Sequence, residues 1–398
     1  MDRVNNPYSP GAGTPPPELA GRSQLLENVR VTLQRIRRRR PDRSVLLVGL
    51  RGVGKTVLLE RMRQDAEVDG CQTISMETSE DQSLPAMLAP RLRTCLLRLS
   101  NSEKAKEAGR RGLRALAGFV RGLKVRYHDI EVSLDAEPES GLADNGDLEG
   151  DLTALLEQVG LAALAAETAA VLFIDELQYL EERDFAALIT ALHRCFQRQL
   201  PITLVGGGLP QLASLAGEAK SYAERLFSFS EIGQLSNSAA IDALVFPAER
   251  LGVSYQPEAL EEILRQTQGY PYFLQEWGTH CWEVAQEPRI TAGDAVKASE
   301  LAVSALDASF FHVRFDRLAP HERTYLRAMA DLGAGPQRSG DIADHMNRSG
   351  KSLGPVRSGL IRKGMIWSPA HGDTAFTVPL FDEFMKRIMP GDDWLRGH

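Results

Sequence analysis

The sequence lacks the features of several protein classes. It contains no run of about 18 apolar residues, the length that a helix needs to cross a membrane. Residues 1–7 show no apolar segment of the secretory kind, so we expect no signal peptide. The four cysteines (Cys71, Cys95, Cys195 and Cys281) form no C-x-x-C pair. We therefore expect neither a disulfide framework nor a zinc site, and the composition fits a reducing cytoplasm.

Charge of one sign is also not in large excess. The formal net charge of −7 argues against a wholly basic nucleic-acid coat, although it leaves room for a local basic face. Hydrophobic residues make up 43% of the chain and charged residues 25%, which is typical of an ordinary globular protein. A length of 398 residues predicts two or three domains.

One segment carries a specific motif. Residues 45–48 are an apolar run of strand length, and the spacing Gly49-x-x-x-x-Gly54-Lys55-Thr56 follows before a helical pattern. This is the spacing of a P-loop, in which glycines let backbone N–H groups face phosphate oxygens. Lys55 can reach the β- and γ-phosphates of ATP, and the Thr56 hydroxyl can bind Mg²⁺.

The predicted phosphate-binding residues are the loop and the first turn of its helix, because that helix N-terminus adds partial positive charge. They are Gly49, Arg51, Gly52, Val53, Gly54, Lys55, Thr56 and Val57. The alternative is a chance glycine turn before a helix, which the order of strand, loop and helix disfavours.

A second apolar run, residues 169–174, ends in Asp175 and Glu176. A strand buried on both faces of a parallel sheet has this pattern, and open α/β sheets hold their ligands at such strand ends. The segment looks like a Walker B motif, in which Asp175 holds the Mg²⁺ shell and Glu176 polarises the attacking water. The alternative is an acidic strand end that caps the next helix.

The order of elements predicts the fold class. Strands near residues 45, 72, 171, 202 and 227 alternate with helices, which indicates a P-loop NTPase with a three-layer α/β parallel sheet. We expect a disordered or extended N-terminal arm over 1–18 and an ATPase core over 19–235. An all-α lid domain should follow over 236–305, and a winged-helix domain over 306–390.

The core contains a charged insertion at about 101–150. Its first half is strongly basic and its second half strongly acidic. We expect the two halves to neutralise each other or to face water, since charge blocks are usually solvated. The alternative is a partner-binding element.

Four features together resemble one family. Gly21 and Arg22 precede the P-loop, the two motifs above follow, residues 223–227 read Ala-Glu-Arg-Leu-Phe, and residues 269–274 read Gly-Tyr-Pro-Tyr-Phe-Leu. The chain resembles the AAA+ ATPases of the origin-recognition-complex class and related bacterial ATP-binding proteins with a C-terminal winged helix.

The resemblance implies further site residues. Gly21 and Arg22 would border the adenine pocket, and Pro271 would contact nucleotide from the lid. Arg225 would read the γ-phosphate, in cis or across a subunit interface, although it could instead be a surface arginine that pairs with Glu224 or Glu231.

The chain departs from that class at two positions. The class usually carries a polar residue, the first sensor, at the end of the fourth strand, and an arginine from the lid, the second sensor. The fourth strand ends in three glycines, 206–208, with Thr203 as its nearby polar residue. Residues 269–272 contain no arginine and look like the Gly-x-Pro lid contact of the signalling STAND ATPases. These departures favour a slow switch over fast, sensor-coupled hydrolysis.

The C-terminal domain is a candidate DNA reader, because basic and polar residues lie in or beside its expected recognition helix. The candidate contacts are Lys351, Ser352, Arg357, Arg362 and Lys363. The alternative is a winged helix that serves as a protein-interaction module.

The sequence therefore predicts a cytoplasmic, Mg²⁺-dependent ATPase without a membrane partner, whose ATP state controls assembly on double-stranded DNA. We expect a homo-oligomer or a protein partner. The second hypothesis is a STAND-like signalling or defence switch whose winged helix contacts protein. A third is a nucleotide-binding scaffold without turnover.

Overall fold

The computed structural model describes residues 1–11, 13–79, 81–124, 127, 129–130, 136–391 and 394. Within these ranges the chain divides into two compact units. The sheet unit comprises Arg22–Gly49 and Lys55–Ile232. The C-terminal unit comprises the described residues of Met1–Gly21, Leu50–Gly54 and Gly233–His398.

The sheet unit is built on five parallel strands. They are β1 (Ser44–Val48), β2 (Gln72–Glu77), β3 (Ala170–Asp175), β4 (Ile202–Gly208) and β5 (Phe227–Glu231). Their order across the sheet is β2-β3-β4-β1-β5. Every residue of β1, β3 and β4 is buried, as expected for central strands covered on both faces. The carboxyl ends of β1, β3 and β4 therefore meet at one edge of the sheet.

Helices cover both faces of this sheet. They are α1 (Ser23–Arg37), α2 (Lys55–Val68), α3 (Leu84–Ser100), α4 (Lys106–Leu123), α5 (Leu148–Ala165), α6 (Glu182–Gln197), α7 (Leu212–Ala219) and α8 (Ala223–Leu226). Leu46, Leu172 and Leu204 share one core cluster with residues of α3 to α7. The alternating residues Val45 and Val171 are buried outside that cluster, on the opposite face. The three-layer α/β fold expected from the sequence is confirmed.

The charged insertion contains the amphipathic helix α4. Its apolar face is fully buried at Leu116 and Phe119, and the helix packs against α3 and α5. On its polar face Arg111 and Arg114 each lie 3.2 Å from a carboxylate oxygen of Glu139. The basic and acidic halves therefore meet at this residue. Residues 125, 126, 128 and 131–135 of the insertion lie outside the described part of the chain.

Residues 237–306 of the C-terminal unit are mainly helical. They form α9 (Asn237–Glu249), α10 (Pro257–Thr267), α11 (Pro271–Val284) and α12 (Ala292–Leu306). Two short strands, β6 (Ser254–Tyr255) and β7 (Arg289–Ile290), pair in parallel beside them. We refer to these elements as the helical region. A π-helix, Asp307–Phe311, continues directly from α12.

The first residues pack onto the helical region as an N-terminal segment. The Tyr8 side chain is only 4% exposed, and its hydroxyl lies 2.7 Å from that of Tyr255. Composition predicts a disordered or extended arm over 1–18, whereas the described residues of this segment are packed and include a short 3-10 helix, Arg3–Asn5. The reason is that Tyr8 lies against Gly278 of α11, where an added Cβ would come within 2.7 Å of the ring.

Residues after the π-helix form the C-terminal region. Its helices are α13 (His312–Asp316), α14 (Pro320–Asp331), α15 (Ser339–His345), α16 (Gly350–Arg362) and α17 (Phe381–Ile388). Its strands are β8 (Gln337–Arg338), β9 (Ile366–Trp367) and β10 (Asp373–Phe376), which pair antiparallel in the order β8-β10-β9. A cluster of phenylalanines joins it to the π-helix, with Phe311 lying 5.3 Å from Phe384 between ring centroids.

In the described part of the chain, none of the helices is long and apolar enough to cross a membrane. All four cysteines are free and buried.

Candidate functional site

The P-loop connects β1 to α2 through a turn that only glycine adopts readily. Gly52 has a φ of 82° and Gly54 a φ of 93°, in the region where other residues are strained. An added Cβ on Gly54 would meet no atom within 4 Å, so its requirement is conformational and not steric. Residues 50–54 of this loop belong to the C-terminal unit, whereas Gly49, Lys55 and Thr56 belong to the sheet unit.

Lys55 is held at the start of α2. Its side chain is 6% exposed, and Nζ donates a hydrogen bond of 2.9 Å to the carbonyl oxygen of Gly49. A buried ammonium group needs such acceptors, because desolvation would otherwise be costly. The loop therefore presents a preorganised cation where the P-loop spacing predicts contact with phosphate.

The side chains of Thr56 and Asp175 bring together two oxygen atoms that could bind a metal ion. The Thr56 hydroxyl donates to Oδ2 of Asp175 at 2.5 Å, and Asp175 is 8% exposed at the end of β3. Burial raises the pKa of the Asp175 carboxyl, and the hydrogen bond from Thr56 partly offsets this. A bound cation would favour the ionised form.

This donor pair fits Mg²⁺. The ion takes oxygen ligands, keeps several waters and is commonly bound through one or two carboxylates plus substrate phosphates. No group of three or more His, Cys, Asp or Glu side chains in the described residues could hold a metal ion. The hydroxyl of Thr56 and the carboxylate of Asp175, which lie together, are the groups that would hold the ion.

Glu176 occupies a tight turn directly after β3. Its backbone is left-handed, with φ 55° and ψ 36°, an uncommon conformation for a residue with a side chain. The buried Thr78, which follows β2, donates its hydroxyl to the carbonyl oxygens of Asp175 and Glu176. Such strain is retained where surrounding contacts enforce it, and it often occurs at active sites.

The end of β4 differs from what a first sensor would need. Thr203 is 3% exposed and its hydroxyl lies 3.0 Å from that of Ser44, at the first residue of β1. It therefore lies at the amino ends of the strands, away from Asp175. A polar side chain that does reach the end of β4 is that of Gln178, whose Oε1 accepts a 3.0 Å hydrogen bond from the N–H of Leu209.

Sequence reasoning missed Gln178. Its amide nitrogen donates to Oε2 of Glu176, so it contacts the predicted catalytic carboxylate. Two features of the sequence could have identified it. Gln178 lies two residues after Glu176, and three glycines end the fourth strand.

Arg225 lies in α8, immediately before β5, and its side chain is exposed. Within the described residues its guanidinium makes no ion pair, so neither Glu224 nor Glu231 engages it. Its exposure leaves it accessible to a ligand or to another subunit.

The tip of the P-loop makes two backbone hydrogen bonds within the C-terminal unit. The N–H of Tyr272, in the first turn of α11, donates to the carbonyl of Gly52 at 3.2 Å. The N–H of Arg51 donates to the carbonyl of Thr377, just after β10, at 3.1 Å. The loop tip is therefore attached to the helical region and to the C-terminal region.

The remaining residues predicted to contact nucleotide lie at the starts of helices. Gly21 has a φ of 69°, and an added Cβ would come within 2.8 Å of the Ala239 side chain. Arg22 directly precedes α1, and burial lowers the pKa of its guanidinium. Pro271 is the first residue of α11, where its fixed φ suits a helix start.

The structure separates the predicted nucleic-acid contacts into two groups. Lys351, Ser352 and Arg362 are exposed on α16. Arg357 instead bonds to Thr374, Ser368 and the carbonyl of Asp373, and Lys363 bonds to Glu322. Arg357 and Lys363 are therefore engaged within the C-terminal region.

Comparison with protein families assigns the first part of the chain. Residues 18–205 match the family described as AAA ATPase domain. Residues 308–385 match a family described as a domain of unknown function (DUF8462). The first match confirms the resemblance to AAA+ ATPases. A search of curated proteins found no match to this chain.

Solved structures with related folds are distant. The Orc1 protein of Aeropyrum pernix in complex with DNA is 16% identical, with 94% of each chain covered and a TM-score of 0.48. Cdc6p from Pyrobaculum aerophilum is 15% identical, covering 100% of this chain and 98% of its own, with a TM-score of 0.48. The Thermotoga maritima RuvB Holliday junction branch migration motor is 16% identical, covering 89% and 92%, with a TM-score of 0.43.

Proposed function

We propose that this chain, which carries an AAA ATPase domain, is a slow, Mg²⁺-dependent ATP hydrolase whose nucleotide state controls assembly on double-stranded DNA. The observation that carries the proposal is the convergence of Lys55, Thr56 and Asp175 at the carboxyl ends of β1 and β3. This convergence supplies one buried cation and two oxygen donors at the place where the P-loop spacing predicts phosphate.

Each residue has a role that follows from its chemistry. The loop N–H groups and Lys55 bind the phosphates and neutralise their charge. When bound, Mg²⁺ would add positive charge beside the β- and γ-phosphates, held by Thr56 and Asp175. Glu176 orients a water molecule and accepts its proton as oxygen bonds to the γ-phosphorus. The bond to the bridging oxygen breaks, leaving ADP and phosphate.

DNA binding is proposed for the C-terminal region, as a winged helix with α16 as its recognition helix. Lys351 and Arg362 support it, because they are exposed cations on one helix of a chain that is acidic overall. Phosphate contacts made by these side chains must weaken as salt concentration rises.

The test measures ATP affinity and turnover for the wild type, Lys55→Ala and Glu176→Gln, with and without duplex DNA at low and moderate salt. We expect Lys55→Ala to abolish ATP binding. Glu176→Gln should bind ATP but lose turnover by about a hundredfold, since a general base is removed. DNA should stimulate the wild type at low salt only.

Normal turnover in Glu176→Gln would show that the catalytic assignment is wrong. Paired changes of Lys351 and Arg362 to alanine should abolish the DNA response without changing the rate in its absence. The matched change Val296→Ala, at a residue that is 50% exposed on α12, should leave both unchanged.

A second candidate function is a STAND-like signalling switch whose partner is another protein. Two observations favour it. Arg357 and Lys363 are engaged internally, and the carbonyl of Thr377 accepts a hydrogen bond from the P-loop residue Arg51. ATP turnover with no response to DNA, in the experiment above, would support this second function over the first.

A further inference from the structure

Gln178 connects the predicted catalytic carboxylate to the neighbouring strand. It lies in the short 3-10 turn Leu177–Tyr179 that follows Glu176. Its amide nitrogen donates to Oε2 of Glu176, and its amide oxygen accepts from the N–H of Leu209 at 3.0 Å. Both ends of the amide are therefore used, and Glu176 is linked to the residue that follows β4.

The glycines at the end of β4 make space for this link. An added Cβ on Gly208 would lie 2.8 Å from Oε1 of Gln178, and one on Gly206 would collide with the side chain of Leu177. Contacts under about 3 Å force neighbouring atoms to shift. The strand end is therefore shaped to receive the turn that carries Gln178.

The backbone of Glu176 is fixed independently of its side chain. Thr78 holds the carbonyl oxygens on either side of the left-handed turn, and the N–H of Glu176 donates to Oδ1 of Asp175 at 2.8 Å. These contacts set where the Glu176 side chain begins. The position of its carboxylate is then set by the hydrogen bond from Gln178.

We propose that Gln178 is a positioning residue for ATP hydrolysis, which holds one oxygen of the Glu176 carboxylate so that the other accepts the proton of the attacking water. This inference rests on the proposed function. An amide donor suits the role because it stabilises the carboxylate anion and fixes its rotamer. Leu209, through its backbone N–H, orients the amide so that nitrogen and not oxygen faces Glu176.

The test compares kcat, KM and the affinity for a fluorescent ATP analogue. Its variants are Gln178→Leu, Gln178→Glu and the matched control Gln197→Leu, an exposed glutamine on α6. We expect Gln178→Leu to lower kcat by about tenfold. Affinity for the analogue should stay within about twofold of the wild type, because the phosphate contacts remain. Gln197→Leu should match the wild type.

Gln178→Glu separates the hydrogen bond from the shape of the side chain. It keeps the length of glutamine but cannot donate when ionised, so we expect it to be at least as slow as Gln178→Leu. Normal turnover in Gln178→Glu would overturn the proposal, because shape alone would then suffice. A faster Gln178→Leu would also overturn it, since Gln178 would then restrain Glu176.

A double change tests whether Gln178 acts through Glu176. When Glu176→Gln is already present, adding Gln178→Leu should cause no further loss, because the positioned carboxylate is gone. A further loss of about tenfold would contradict the proposal and indicate a separate role. Melting temperatures of all variants report whether the fold is intact.

Gly208→Ala disturbs the position of Gln178 from the side of β4. We expect it to lower kcat like Gln178→Leu, whereas Gly217→Ala, at a helix position open to solvent, should not. A wild type that binds ATP without turnover would overturn both this inference and the proposed hydrolysis. A wild type with turnover and an equally active Gln178→Leu would overturn this inference alone.

Discussion

At the scale of single residues, the site depends on a glycine whose lack of a side chain leaves room for a neighbouring carboxylate. Gly207 in β4 lies beside Asp175, and an added Cβ would come within 2.8 Å of Oδ1 of Asp175 and of Leu59 Cδ1. Gly207 is thus required for space and not for an unusual backbone angle. Strand glycines of this kind mark close approach of functional groups.

We expect Gly207→Ala to displace the Asp175 carboxylate and lower Mg²⁺-dependent ATP turnover by about tenfold or more. Overpacking of a tight core site costs roughly 1–3 kcal/mol in stability, so the melting temperature should also fall. Steady-state ATPase assays across a Mg²⁺ titration measure the first effect, and thermal unfolding measures the second.

Gly217→Ala is the control, because an added Cβ there would meet no atom within 4 Å. It should leave turnover unchanged and could raise stability slightly, since alanine is the better helix former. If Gly207→Ala needed no more Mg²⁺ than the wild type and turned over normally, Asp175 would not hold the ion.

At the scale of elements, the buried ring of Tyr8 is the main apolar contact between the N-terminal segment and the helical region. Tyr8 packs against α11 at Gly278, and its hydroxyl donates to the carbonyl of Leu244 in α9. The neighbouring indole of Trp282 donates to the carbonyl of Asp2 at 2.8 Å. A buried aromatic side chain and several hydrogen bonds therefore hold a segment rich in proline and glycine against the helical region.

We expect Tyr8→Ala to destabilise the C-terminal unit by about 3 kcal/mol, the usual cost of removing a buried aromatic side chain. Tryptophan fluorescence in urea is a selective measurement, because the chain's four tryptophans all lie in this unit. Val4→Ala is the control, since Val4 is 90% exposed. Equal urea midpoints for the two variants would show that the segment contributes little stability.

Elements with strong local signals could be predicted from the sequence. The five strands of the sheet lie within a few residues of their expected positions, because apolar runs followed by glycine or acidic residues define them. The motif residues Thr56 and Asp175 are in contact, and Lys55 bonds to Gly49 of the same loop; their roles toward nucleotide stay predictions.

Contacts between distant parts of the chain could not be predicted in this way. Tyr8 meets Leu244 across 236 residues, and no local pattern encodes that pairing. Arg357 has the residue type and helix position expected of a DNA contact, yet its guanidinium bonds to Thr374 and Ser368. Composition identifies such a charge, but only tertiary structure reveals whether an internal partner uses it.

At the scale of the whole molecule, the P-loop belongs to both compact units. Its tip, Leu50–Gly54, is part of the C-terminal unit, and the residues on either side are part of the sheet unit. Within the C-terminal unit, the N–H of Arg51 at this tip donates to the carbonyl of Thr377.

Thiol chemistry offers a test that spans both units. Burial raises the pKa of Cys95, Cys195 and Cys281 to about 12, and it raises the pKa of Cys71. Raised values keep each thiol protonated near neutral pH, and only the thiolate reacts. We expect no thiol to react rapidly with Ellman's reagent at pH 8 in the native protein, and all four to react in denaturant.

A rapidly reacting native thiol would contradict the burial described for that cysteine. The comparison of native and denatured protein serves as its own control, because both contain the same four groups.

Because the four native cysteines are buried, thiol-reactive dyes can be directed to cysteines introduced at the surface. One cysteine introduced at Val68, which is 86% exposed in the sheet unit, and one at Val296 in the C-terminal unit would take a donor and an acceptor dye without removal of any native cysteine. Energy transfer between the dyes, measured with and without ATP, would then report whether nucleotide changes the distance between the two labelled positions.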